Sequence, residues 1–183
     1  MNKKPNDLLL LAGKVLAIFM QGAMAFGAVV LVFTIPTMFV MQGDINAEIL
    51  KETGDPSITL PVILILGILL IGLAIVSALF VFFGKLRQII GTVGAGDPFQ
   101  PANADRLSVM GWLMLGVQMA VFPAAVLGTQ LANFVDKFEG AEVDIEGGFG
   151  LDLTGILIVI LLFILARVFK HGAAMREDLE GTV

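Results

Sequence analysis

Four apolar stretches, each close to or beyond about twenty residues, constrain this chain more than any other feature. They cover approximately 15–41, 60–83, 109–134 and 151–169. About twenty apolar residues cross roughly 30 Å of hydrocarbon as a helix. Helix is the form such a segment takes, because lipid offers no water to satisfy a bare backbone. Hydrophobic residues make up 57% of the 183, against about 45–50% in soluble domains. A chain this short cannot hide that much Leu, Ile, Val and Phe in a core of its own. The sequence therefore predicts an all-α integral membrane protein: a single membrane domain over 1–183, folded as a four-transmembrane-helix bundle.

The first span opens on a basic segment and on Leu at 8–11, as a secretory signal would, and Ala23-Met24-Ala25 has the form of a cleavage site. The apolar run continues to Met41, far beyond the roughly 7–15 residues of a signal core, so the expectation is an uncleaved span. Lys and Arg set the orientation. Nine of them (Lys3, Lys4, Lys14, Lys85, Arg87, Arg106, Arg167, Lys170, Arg176) fall on one side, and two (Lys51, Lys137) on the other. That places 1–14, 84–108 and 170–183 in the cytoplasm, with both termini, and 42–59 and 135–150 outside. The expected location is a bacterial inner membrane. Trp112 falls at the cytoplasmic interface, where its amphipathic ring is favoured.

Composition removes several kinds of chemistry. The chain has no cysteine and one histidine, so disulfides, iron–sulfur clusters and multi-histidine metal or haem sites are not expected, and no cofactor is expected. A net charge of -5 argues against direct nucleic acid binding, which needs clustered cations. No Asp, Glu, Lys, Arg or His lies near the middle of a span, which weighs against an ion-coupled transporter. Gln21, Gln118, Thr34, Thr37, Ser77 and Thr129 are the polar groups at depth, read as interhelical hydrogen-bonding groups. Ala23 and Gly27, Ala74 and Ala78, Ala120 and Ala124, and Ala124 and Gly128 are spaced four apart, which suits close helix packing inside the bundle. Pro36 and Pro123 lie inside spans and are expected to kink them.

Outside the membrane, Asp44 is a candidate cap for a short helix ending at Gly54, before an Asp55-Pro56 turn. Thr59 is a candidate N-cap for the second helix, with Pro61 in its first turn. Residues 139–153 alternate apolar positions around Gly147-Gly148, a signal for a small acidic β-hairpin. The run 147–153 also matches one calcium-binding nonapeptide. Such sites need stacked repeats, so a solvated acidic turn is expected.

On the cytoplasmic side the second helix outruns its apolar stretch. Leu86, Ile89, Ile90 and Val93 recur at helical period, while Lys85, Gln88 and Thr92 take other faces. Gly94-Ala95-Gly96 supplies a stop. The fourth helix continues likewise, with Phe169, Gly172, Ala173, Met175 and Leu179 on one face. Arg176 falls on that apolar face and needs a partner, expected in Asp97, Asp105 or Asn103; a charge swap between Arg176 and Asp105 would test the second of these. Between the two projections, Asp97-Pro98-Phe99-Gln100-Pro101 forms a stiff link. Phe99 is its expected plug into the apolar faces, and Asn103 its N-cap for the third helix. His171 is expected to be solvated.

These two segments carry a resemblance. Phe83-Gly84, Leu86, Ile89-Ile90, Gly96, Pro98-Phe99, Asn103, Arg106-Leu107 and Gly111-Trp112, together with Phe169, Gly172, Met175-Arg176, Asp178-Leu179 and Thr182-Val183, resemble a bacterial family of four-span membrane proteins of unknown function. Its members are often encoded beside a small Cro/CI-like helix-turn-helix regulator. The resemblance implies a membrane-anchored regulatory or binding protein that docks such a partner, and it supplies no catalytic residues. The docking surface expected on this basis comprises Asp97, Pro98, Phe99, Asn103, Asp105, Arg106, Arg176 and Asp178. The alternative function is a small transporter, channel or accessory subunit of a larger membrane complex, and a homodimer is a further expected partnership. No nucleophile, metal cluster or carboxylate pair at suitable depth suggests an enzyme.

Overall fold

A membrane helix ends where the sequence supplies a stop, which need not be where the lipid ends. The computed structural model describes residues 8–136, 138 and 152–180, and among these the chain forms four long helices. They are α1 (Leu8–Thr53), α2 (Val62–Gly94), α3 (Pro101–Val135) and α4 (Leu153–Glu180). All four are long and apolar enough to cross a membrane. No strand occurs among the described residues. The expected β-hairpin and the nonapeptide match lie almost entirely outside the described residues, within 139–151.

Glycine sets two of the stops. Gly54 has φ 66° and donates its N–H to the Leu50 carbonyl at 2.9 Å. Gly96 has φ 84°; its N–H reaches the Val93 carbonyl at 3.0 Å, and the Asp97 N–H reaches the Thr92 carbonyl at 3.0 Å. This paired closure with a left-handed glycine satisfies carbonyls that the end of α2 would otherwise leave bare. Both projections are therefore ordered helix: α2 continues past its apolar run to Gly94, and α4 to Glu180.

The helix starts differ from expectation. α1 does not end at the membrane and restart at Asp44; it runs unbroken to Thr53. Ile49 is buried there, and the Asn46 side-chain oxygen accepts the Leu60 N–H at 2.8 Å. Tertiary contacts thus hold the polar end of α1 in helix. Thr59 does not cap α2: the Pro61 carbonyl receives the Ile65 N–H at 3.2 Å, so Pro61 is the boundary residue. Pro36 and Pro123 lie inside α1 and α3 without ending them.

The chain divides into two compact units. The first comprises Met1–Ala25, Ser77–Gln118 and Asp152–Val183. It holds the main core cluster of Ile89, Leu107, Met110, Leu162 and Ala166, with Phe82, Leu86, Val93, Met114, Leu165 and Phe169 packed against it. Met110 is 2% exposed. Gly111 brings α3 close to α4, where a Cβ would stand 3.0 Å from the Phe163 ring.

The second unit comprises Phe26–Val76 and Met119–Leu151. Val76 approaches Gly27 and Leu31 approaches Gly72, so the small residues there serve packing between α1 and α2. Thr34, Thr37 and Thr129 do not bridge helices as expected. Their hydroxyls donate to the carbonyls of Val30, Phe33 and Ala125 in their own helices, at 2.8, 2.8 and 3.0 Å. A hydroxyl one turn above a carbonyl is satisfied locally and needs no neighbour.

Candidate functional site

The densest polar arrangement in the first unit lies where α2 gives way to α3, at the end rich in Lys and Arg. Pro101 opens α3 as its first residue, a position where the missing N–H is not needed. Gln100 precedes it; its carbonyl accepts the Asn103 N–H at 2.9 Å, and its amide nitrogen donates to Asp97 Oδ2 at 2.8 Å. Asn103 is therefore not the N-cap. It sits two residues further into the helix, fully buried at 0% exposure.

Burial without partners would be costly, and Asn103 has three. Its Nδ2 donates to Thr92 Oγ1 at 2.7 Å and to the Pro98 carbonyl at 2.9 Å, and its Oδ1 accepts from Arg106 Nη1 at 2.7 Å. Thr92 in turn donates to the Ile89 carbonyl at 2.8 Å. One side chain thus ties the last turn of α2, the connecting loop and the first turns of α3 together. Spacing alone puts Thr92 on a face away from the apolar stripe, and nothing in the sequence signals its part in this network.

α4 is joined to the same loop at two points. Arg176 pairs with Asp97, one of its three expected partners, rather than with Asp105 or Asn103. The pair is partly solvated, with side chains 48% and 29% exposed, so it contributes on the order of 0–1 kcal/mol. The closer joint is apolar. Phe99 lies against Phe169 with ring centroids 5.5 Å apart. It also covers Gly172 so tightly that a Cβ there would stand 2.6 Å from the ring. Phe99 is the expected plug, and Gly172 is the socket that admits it.

Beside the plug is an open groove of about 470 Å³ bordered by Phe99, Arg167, Val168, His171, Gly172 and Met175. Phe99 and Met175 remain 42% and 53% exposed, so the groove presents apolar surface flanked by a cation and an imidazole. Asp105 lies elsewhere, in a cleft shared with Arg167 and Lys170. Asp178 is exposed near the end of α4. Of the eight residues expected to form one surface, Asp97, Pro98, Phe99, Asn103, Arg106 and Arg176 are linked through the loop.

A family model described as "Protein of unknown function (DUF2975)" matches residues 15–183. The chain belongs to this family. No curated protein and no solved structure matches it.

This DUF2975 chain has a second polar contact that the sequence concealed. Asp152 stands immediately before α4, and Gln118 of α3 donates to its Oδ2 at 3.2 Å and to its carbonyl at 3.3 Å. Gly155 makes room, since a Cβ there would fall on the Gln118 amide nitrogen. Gln118 lies about 18 Å along α3 from Arg106, at roughly 1.5 Å per residue. α3 carries no ionisable residue between Arg106 and its end at Val135. A carboxylate at the start of α4 therefore stands beside the midpoint of helix α3. Apolar run length treats 151–169 as a full crossing, whereas the contact aligns its start with the midpoint of α3.

Proposed function

We propose that the protein is a membrane-anchored binding protein whose Lys- and Arg-rich face lies in the bacterial cytoplasm and docks a protein partner. The supporting observation is the loop 97–103, held by buried Asn103 and by the Phe99–Gly172 joint, beside a groove that leaves Phe99 and Met175 exposed. A rigid apolar edge flanked by polar groups suits partner binding, because little ordering entropy is lost on docking. Family resemblance suggests a small helix-turn-helix regulator as the partner, kept from DNA by tethering.

A photo-crosslinking residue at Met175, in intact cells, tests this. The expected product is a defined adduct with such a regulator, lost on Phe99→Asp. Adducts with lipid or with the protein's own copies alone would overturn it.

The second reading is a small transporter, channel or complex subunit, and the Asp152–Gln118 contact favours it. An ionisable group beside the midpoint of a helix long and apolar enough to cross a membrane suits an ion or proton path. Proton or cation flux in liposomes that disappears in Asp152→Asn would establish it, and no flux above empty liposomes would reject it.

A further inference from the structure

A second cleft, of about 260 Å³, opens between α3 and α4 at the basic end. Asp105 and Ser108 line it from α3, and Phe163, Ala166, Arg167 and Lys170 from α4. Arg167, Lys170 and Asp105 form no ion pair among the described residues. The cleft therefore gathers two cations, one carboxylate and one hydroxyl, with no ion pair among the described residues to neutralise the charges.

Its level along the helices matters. Arg167 is the first ionisable residue of α4 after its apolar run, and Asp105-Arg106 are the last of α3 before its own. Such positions lie at the headgroup layer, where Arg and Lys meet lipid phosphate. Toward the span, Ile164 and Ile160 are half-exposed one and two turns from Arg167, on the same side of α4. They offer exposed apolar surface along which an acyl chain can lie. Phe163 carries Trp112 edge-on at 5.3 Å, and Trp112 itself is 64% exposed.

We propose that this cleft binds one zwitterionic phospholipid with a primary-amine headgroup of the phosphatidylethanolamine type. The phosphate lies against Arg167 and Lys170, and the ammonium donates to the Asp105 carboxylate. Charge complementarity selects this occupant. A phosphatidylglycerol headgroup would satisfy the cations with the same phosphate but would offer Asp105 only neutral hydroxyls in place of an ammonium. A quaternary choline cannot donate a hydrogen bond to Asp105 and is recognised instead by aromatic cages, which one Phe163–Trp112 pair does not make.

The chain's single tryptophan reports the site. The full-length protein would be placed in phosphatidylcholine nanodiscs holding an equal minor fraction of phosphatidylethanolamine, phosphatidylglycerol or phosphatidylcholine with brominated acyl chains. The expected result is preferential quenching of Trp112 by the ethanolamine lipid, a preference of up to roughly fivefold as for a solvated ion pair. Asp105→Asn, an exposed position, abolishes the preference over phosphatidylglycerol. Lys170→Gln, also exposed, lowers quenching by the ethanolamine and glycerol lipids without altering circular dichroism. Equal quenching by the three lipids, preference for either other lipid, or an ethanolamine preference that survives Asp105→Asn would overturn the proposal.

Discussion

Replacing Asn103 by alanine should loosen the loop between α2 and α3 more than any other single change there. The substitution removes two neutral hydrogen bonds, to Thr92 and to the Pro98 carbonyl, and one to the charged Arg106. Neutral bonds contribute about 1 kcal/mol net each, and one to a charged group about 1.5–3. The sum is about 4 kcal/mol, close to three orders of magnitude in an opening equilibrium. Thr92→Val removes only one of these bonds and should cost about 1 kcal/mol. The readout is amide hydrogen exchange in nanodiscs at Ala95, Gly96 and Asp97, whose N–H groups are hydrogen-bonded in the closing turn of α2. Exchange there should accelerate several hundred-fold in Asn103→Ala and about tenfold or less in Thr92→Val. Acceleration below about threefold in Asn103→Ala would refute the view that buried polar contacts, rather than the apolar core, order this loop.

Three further outcomes follow from the same geometry. Gly172→Val should expel Phe99 from its socket at a cost of roughly 1–3 kcal/mol, seen as new protease sensitivity within 97–103 while the spans stay intact. Asp97→Asn should change thermal stability by less than about 1 kcal/mol, because the Arg176 pair is partly solvated; a larger loss would mean that the pair is a principal clamp. Met110→Ala should cost about 2–5 kcal/mol as a core cavity, measured as the fall in unfolding midpoint followed by Trp112 fluorescence.

Much of this fold is written in local sequence. Apolar run length identifies the spans, and Gly54 and Gly96 identify helix ends because only a left-handed residue closes them cheaply. The Arg176 partner narrows to three residues because a cation on an apolar helix face needs an acceptor. The misreadings share one cause, which is that position relative to another helix is invisible in one dimension. An Asn that follows a helix break looks the same whether it caps the next helix or is buried by a neighbour, and Pro101 is the local signal that the helix has already begun. The charged residues 44–53 follow the apolar run and read as the end of helix, although Asn46 and Ile49 hold α1 together to Thr53. The register of α4 against α3, which brings Asp152 to Gln118, has no local signature at all.

The ordered loop between α2 and α3 is predicted to face the cytoplasm. The chain lacks cysteine, so single cysteines placed at Gln100 and Ser57 can be labelled without background. A membrane-impermeant maleimide should label the Ser57→Cys protein in intact spheroplasts and the Gln100→Cys protein only in inverted vesicles. Labelling of Gln100→Cys from outside would contradict the account.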